Sequence, residues 1–450
     1  MTDYRQLRAP GSGGNVLGLG ELRTNIRERI GPPRASRLER NIWTNTAHGI
    51  VSVAAANMIQ PFISIFAIRA GATNFQVAML STAPALVSLL MMIPGAALVD
   101  RRPDKKRLTA LFFLAHRFFY FLIALIPFFT TDRRAAVLVV AVALMNLPGS
   151  VSNVAWQGFI ATIIPPDRRP SAFAKRNLWM NVAGTAMVLI VGRAIDIIGY
   201  PFGYQVVFAL AFVLALVEIW VFGRLEEEPS PVGPGRRAPS LSLSNLARDL
   251  AAEPRFVRYT LASVGFYLAW QSAWPLFSLY QVRVLGANNT WVSILNLANT
   301  GGSIFGYGYW ARYAERNGNL KTLFAASLGM FLVPTVYAFS HSLYSIAFWN
   351  LATGLIFSGV VLSLFNALLE MTPEERKTTY IAYYNTAVTV AAVFAPLVGV
   401  ALLDLLGFMW AFLATALLRV IGSVLFFHIH RVEDAERARA AATGGSVAAP

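Results

Sequence analysis

The chain has no cysteine. That excludes disulfides, thiolate nucleophiles, zinc–thiolate sites and iron–sulfur clusters together. It is also poor in charge: Asp, Glu, Lys and Arg make up 14% of its 450 residues, against roughly 25% in an average soluble protein. No H-E-x-x-H, G-x-S-x-G or phosphate-binding loop occurs, so the motifs of metal-assisted hydrolysis, acyl transfer and nucleotide hydrolysis are all missing, and the chain is not expected to be an enzyme. The first 40 residues are Gly- and Arg-rich and lack the apolar core of a secretory signal. They read as a polar tail.

Apolar side chain is abundant. The AVILMFWYC share is 56%, aromatics are 12% and mean hydropathy is +0.53. A soluble fold could not cover that much apolar surface with so few charges. From about Asn45 the chain becomes a succession of apolar runs, each long enough to cross a ~30 Å hydrocarbon layer as a helix. They are α1 (45–68), α2 (75–98), α3 (108–129), α4 (135–161), α5 (176–198) and α6 (203–223), then α7 (257–281), α8 (290–311), α9 (321–340), α10 (343–370), α11 (380–403) and α12 (408–428). The expected architecture is all-α, with twelve transmembrane helices in two six-helix bundles. The expected segments are a polar tail at 1–44, an N-terminal bundle at 45–223, a central loop at 224–256, a C-terminal bundle at 257–428 and a tail at 429–450.

The formal charge of +15 would suggest a nucleic-acid partner in a soluble chain. Its distribution points elsewhere. Of the 38 Lys and Arg residues, only Arg69, Arg133, Arg134, Arg193 and Arg283 fall in or next to odd-numbered loops, and Arg117 and Arg419 fall near the middle of runs. All others lie in the tails, in even-numbered loops or at the run ends beside them. The positive-inside rule then places both termini in the cytoplasm, in a cell-membrane protein whose partner is the lipid bilayer and not nucleic acid.

The two halves repeat each other. Residues 165–200 align with 373–408 without a gap, matching Pro165, Arg168, Asn177, Val182, Ala183, Leu189, Asp196 and Gly199 to Pro373, Arg376, Asn385, Val390, Ala391, Leu397, Asp404 and Gly407. Pro61, Ser64 and Arg69 match Pro275, Ser278 and Arg283, and Gly71, Ala72 and Asn74 match Gly286, Ala287 and Asn289 one residue out of step. Six helices per repeat with one orientation fit parallel repeats about an axis along the membrane normal.

After α2 comes Gly95-Ala-Ala-Leu-Val-Asp100-Arg101-Arg102-Pro-Asp104-Lys105-Lys106-Arg107. This stretch resembles the signature between helices 2 and 3 of the major facilitator superfamily, with Pro103-Asp104 where that family usually has a second Gly. A degenerate copy runs from Gly306 to Arg316, with Ala311 in the place of the Asp. The resemblance implies a transporter of a small organic solute, secondary-active or facilitative, working by alternating access. It also implies that Gly95, Asp100, Arg101, Arg102, Lys105 and Lys106 form a gating motif. Asp100 could dock on the positive, cytoplasmic end of the α11 dipole, and Gly95 permits close helix approach. The other reading makes the loop a solvated topogenic segment.

In that family helices 1, 4, 7 and 10 line the pathway. Here they carry Asn57, Gln60 and Ser64; Asn146, Ser150, Asn153 and Gln157; Tyr267, Trp270, Gln271 and Trp274; and Trp349, Asn350 and Thr353. Amides and hydroxyls are costly in lipid unless they face protein or water. Any single one of them also fits interhelical hydrogen bonding, while the four faces together favour a substrate cavity. Aromatics with neutral amides suit an uncharged or weakly charged solute.

Charge near the middle of the runs is limited to Arg117 and Arg419, with Glu218 towards the end of α6. An Arg117–Glu218 structural pair is expected. Asp196, Asp404 and Glu370, at helix ends, read as solvated or paired with a nearby Arg. His48 and His116 read as packed neutral side chains, with proton carriage as the other reading. The chain lacks the Gly-Pro-rich helix 5 of drug antiporters and the P-E-S-P-R signature of sugar porters. No cofactor is implied, a coupled proton or cation is left open, and a monomer is expected. A receptor or accessory subunit on the same fold is the alternative.

Overall fold

The computed structural model describes residues 36–442, apart from 101, 103, 130–132, 166, 227–242 and 374–375. Every regular element among the described residues is helical. The N-terminal half comprises α1 (Arg37–Asn57, a 3-10 turn Gln60–Phe62, then Ile63–Arg69), α2 (Asn74–Asp100), α3 (Lys105–Phe129), α4 (Arg134–Ile163), α5 (Arg169–Ile198) and α6 (Phe202–Gly223). The C-terminal half comprises α7 (Pro254–Ser272, Trp274–Leu279 and a π turn Tyr280–Val284), α8 (Asn289–Asn317), α9 (Asn319–Gly329 and Leu332–Phe339) and α10 (Leu343–Met371). Helices α11 and α12 share the stretch Lys377–Ala442, which bends back at Gly407.

Among the described residues nine stretches are long and apolar enough to cross a membrane, one of them being the bent 58-residue stretch Thr379–Glu436. Helices α7 and α8 fall outside that set. Breaks at Pro275 shorten α7, and α8 carries Asn296, Asn299, Thr300 and four glycines between Gly301 and Gly308. Large apolar side chains point outward all round, including Leu90, Phe128, Ile190, Phe305, Phe348 and Leu405. Only lipid makes such a surface tolerable.

Three stretches read from sequence as tail or loop are helical. Residues 37–44 form the first two turns of α1, because Ser36 and Glu39 make a capping box: Glu39 N donates to Ser36 Oγ at 3.2 Å and Ser36 N to Glu39 Oε2 at 3.3 Å. The central loop contains a helix at Leu243–Ala252. Asp249 anchors it on the start of α11, accepting from Arg376 Nη1 at 2.5 Å and from Tyr383 OH at 3.2 Å. The Arg376 hydrogen bond is the main reason that the Asp249 carboxyl is held below the usual carboxylate range. Finally, α12 continues past the apolar run, and Arg255 and Arg258 at the start of α7 bind Glu433 and Glu436 on this extension.

Prolines sit at the breaks of α1 and α7. Pro61 and Pro275 lack an N–H, so neither can complete the backbone ladder. The 3-10 turn in α1 and the restart of α7 sit on these two residues. They match in the internal repeat, so both halves break at the same place.

The ends of the molecule are defined by contacts. Arg37 and Asn41 at the start of α1 bind Glu226 beyond α6, and Lys106 at the start of α3 donates to the carbonyls of Gly223 and Leu225, each at 2.7 Å. With the α7–α12 ion pairs, these contacts mark the proximal end, which carries the start of α1 and the end of α12. The turns α1–α2, α5–α6, α7–α8 and α11–α12 mark the distal end. Helix α2 packs on α11 and α5 on α8 across the two halves.

Candidate functional site

The polar faces predicted on α1, α4, α7 and α10 divide into two kinds. Asn146 Nδ2 donates to the Val142 carbonyl one turn back at 2.8 Å, and Asn350 Nδ2 to Leu295 O of α8 at 3.3 Å. These two amides are committed to backbone. Gln60, Asn153 and Gln157 are exposed, and the latter two make one contact of 3.4 Å with each other. Asn57, Ser64 and Thr353 are half-buried, with Asn57 lying against Gly184 of α5. Ser150 reaches Ser88 of α2 at 3.2 Å.

On α7 the spacing i, i+3, i+7 produces an aromatic ladder. Tyr267 and Trp270 ring centres are 5.4 Å apart, and Trp270 and Trp274 are 5.8 Å apart at 86°. Trp270 and Gln271 are buried, whereas Trp274 is exposed, as is Trp349 on α10. The ladder thus runs from packed interior to an open aromatic face. Further exposed amides, Asn177 and Asn181 on α5, Asn296 on α8 and Asn385 on α11, were not selected from sequence. Their signal in the sequence is the same polar residue type in an apolar run, on helices other than 1, 4, 7 and 10. Among the described residues, none of the exposed groups named on these faces is an acid or a base.

The charges lie elsewhere, inside the bundles. Arg117 on α3 clasps Glu218 on α6 in a fork, with Nε to Oε2 at 3.0 Å and Nη2 to Oε1 at 3.1 Å. Arg117 also donates to Tyr120 OH and, at 3.0 Å, to Ser52 Oγ of α1. His48 Nε2 lies 3.5 Å from Glu218 Oε1, with its ring between Phe113 and Phe222. At that separation it is a contact and not a hydrogen bond. Exposures of 7% for Arg117, 0% for Glu218 and 1% for His48 mean that the pair holds three helices together without touching a pathway. His116 is likewise packed, with Nδ1 2.9 Å from Met145 O.

Arg419 on α12 is 1% exposed and is clasped by backbone instead of a carboxylate. It donates to Met330 O at 2.9 Å and Trp270 O at 2.8 Å. Both carbonyls sit where α9 and α7 break, so the guanidinium satisfies acceptors that the interrupted helices release.

At the signature loop, Gly95 is buried where a Cβ would come within 3.3 Å of Val151 on α4. Arg102 is exposed, and Asp104 caps α3 by accepting from Arg107 N at 2.9 Å. Lys105 is half-buried near Gly158 of α4, and Lys106 closes the C-terminal end of α6 as described above. Arg101 and the Asp100 side chain lie outside the described residues. The helix-end acids differ from their sequence reading. Asp196 and Asp404 bind residues of the opposite half, and Glu370 accepts from Asn319 Nδ2 at 2.5 Å.

Two six-helix repeats, with amide and aromatic faces inside an apolar shell, define a multi-pass membrane transporter. The chain belongs to the Major Facilitator Superfamily, whose family model matches residues 48–308 and 259–449. No curated protein sequence matches it. Among solved structures, a point mutant of the nucleoside transporter NupG superposes with a TM-score of 0.68 at 10% identity, covering 86% of this chain and 99% of that one. A bacterial homologue of the human lysosomal transporter Spinster, inward-facing and unoccupied, gives 0.65 at 14% identity, covering 88% and 97%. The same homologue, inward-facing and occupied, gives 0.61 at 15% identity, covering 88% and 96%. At these identities the likeness is one of fold.

Proposed function

We propose that the protein moves a small, uncharged organic solute across the cell membrane by alternating access, with both termini cytoplasmic, acting as a monomer and without catalysis. The observation that carries this reading is the composition of the exposed intramembrane faces. Gln60, Asn153, Gln157 and Trp274 are exposed in helices otherwise made for lipid, a position tolerated where water reaches. With no acid or base among these exposed groups, hydrogen bonding and stacking are the recognition they offer. Nucleosides, the solutes in the name of NupG, have this chemistry. Sugars and other neutral heterocycles share it.

The polar contacts between the halves described in the next subsection all lie at the distal end or in the distal part of the helices, which fits a state open towards the proximal side. Lys and Arg cluster on that side and support its being cytoplasmic. Asp100 then serves as the proximal latch, holding the opposite state by docking at the start of α11. Asp100→Ala is expected to slow solute flux by about tenfold or more at normal expression, the loss of roughly 1.4 kcal/mol or more from one state. Full flux in that variant would remove the latch role.

The experiment for the main reading is thermal-shift screening of the purified protein against neutral nucleosides, sugars and heterocycles, with charged analogues beside them. A ligand at a hundred times its Kd stabilises by about 2.7 kcal/mol. Hits confined to neutral compounds, followed by flux in proteoliposomes, support the reading; hits only among anions or cations overturn it. Repeating the flux across pH and sodium assigns a coupled proton or cation.

A further inference from the structure

Several of the residues that match between the two halves in sequence touch residues of the opposite half in space. Asp196 ends α5 and its repeat partner Asp404 ends α11; Asn74 begins α2 and its partner Asn289 begins α8. In the structure the carboxylate of Asp196 reaches across to the first turn of α8. It accepts from the backbone N–H groups of Asn289 at 3.1 Å and Thr290 at 2.7 Å, and from their side chains at 2.8 and 2.6 Å. Asp404 reaches the start of α2, where Asn74 Nδ2 donates to it at 2.5 Å. The turns that present these acids end in Gly199 and Gly407, both with positive φ (90° and 75°).

One of the matched arginines also crosses between the halves. Arg283 of α7 donates at 2.5 Å to Asn74 Oδ1 and also to the carbonyl of Ala72. In the other seam the Tyr204 hydroxyl donates to Asn289 Oδ1 at 2.7 Å. Deeper in the same seams, Ser293 Oγ donates to Val188 O at 2.7 Å and Thr82 Oγ1 to Val393 O at 3.0 Å.

We propose that Asp196 and Asp404 are a two-fold related pair of distal latches, each capping or binding the first residues of a helix in the opposite half, and that Asp196 is the dominant one. Its four donors include two N–H groups of a helix first turn, where a carboxylate also meets the positive end of the dipole. Asp404 is exposed and has one amide donor. This arrangement is the distal counterpart of a proximal latch. Opening the distal side requires Asp196 to leave all four donors, so it biases the equilibrium towards the proximal-open state.

The proposal rests on the alternating-access reading, and its test separates the two. Because the chain contains no cysteine, spin labels can be placed without removing native thiols. One pair, Phe202→Cys with Phe339→Cys, spans the distal end, and another, Ala174→Cys with Glu315→Cys, spans the proximal end. Distances are measured by pulsed EPR on the full-length protein in lipid nanodiscs. In Asp196→Ala the ratio of long to short distal distances is expected to rise about tenfold, as for ~1.4 kcal/mol, while the proximal distances shorten. Asp404→Ala is expected to give a rise of about twofold, and Thr290→Val, which keeps the carboxylate and removes one donor, an intermediate rise. If the distal distances lengthen and the proximal ones do not respond, the latch stands and coupled alternation falls. A wild-type distal distribution in Asp196→Ala and Thr290→Val, or a larger effect from Asp404→Ala, overturns the proposal.

Discussion

Glu218→Ala is expected to lower the stability of the folded protein by about 3–5 kcal/mol, a fall in thermal midpoint on the order of 10 °C. The reason is the buried Arg117. Arg117 is 7% exposed, and its guanidinium loses both prongs of its fork when the carboxylate goes. Tyr120 and Ser52 remain as acceptors, but neither supplies negative charge, so a cation is left inside a low-dielectric bundle. The pair taken together is a different matter. Desolvating two ions offsets most of their mutual attraction, so an apolar pair of similar volume can replace them at little cost. Arg117→Met combined with Glu218→Leu is therefore expected to recover most of the lost midpoint, short of the contribution from the orphaned Tyr120 hydroxyl. Detergent-solubilised thermal unfolding of the two singles and the double checks this. A Glu218→Ala single as stable as the wild type, or a double no better than its singles, would show that the pair does not tie α1, α3 and α6 together.

Gly354→Val is expected to prevent proper assembly of the C-terminal half. Helices α8 and α10 cross with backbone against backbone: a Cβ at Gly354 would overlap the Asn299 carbonyl, and one at Gly302 would overlap that of Leu351. Small residues allow such an approach in membranes, where packing and not water drives helix association. Neither obstacle is a flexible side-chain end, so the helices must separate, and Ser303 Oγ would lose its 3.0 Å bond to Gly354 O across the crossing. Overpacking of this kind ordinarily costs about 1–3 kcal/mol, and a backbone collision belongs at or beyond the top of that range. The expected sequence of monodisperse yield is wild type, then Gly354→Ala, then Gly354→Val with little or none. Gly308→Ala on the same α8 helix meets nothing within 4 Å and is expected to behave as wild type. Normal yield and midpoint in Gly354→Val would mean that the crossing is not close in the assembled protein.

The physical limits of reading the sequence are visible in particular residues. Pro61 and Pro275 stand at helix breaks within runs that read as continuous; Pro84, Pro127, Pro148 and Pro396 sit inside unbroken helices, so the residue type alone does not mark a break. Ser36 and Glu39 carried a local signal, the capping box, but lay outside the apolar run and were read as tail. The linker helix Leu243–Ala252 was missed because it is held by a distant partner: Asp249 finds Arg376 and Tyr383 only once the chain has folded. Among the cavity candidates, residue type could not separate Asn146 and Asn350, which are committed to backbone carbonyls, from Gln60 and Gln157, which are exposed. Which way an amide faces depends on the neighbouring helix.

The sequence by itself determined the solvent. Few charges and twelve apolar runs require a helical membrane protein, because lipid leaves the backbone no other partner for runs of that length. It also determined the repeat, since matching positions can be compared without coordinates. Tertiary structure alone decided which repeated residues meet the opposite half. Asp196 and Asp404 look like ordinary helix-end acids until the fold sets each against a helix of the opposite half. Arg419, clasped by backbone and not by a carboxylate, is explained only by carbonyls that two broken helices release. Local propensity and hydropathy act along the chain, whereas hydrogen-bond satisfaction acts through space. The second could not be read until the first had brought the helices together.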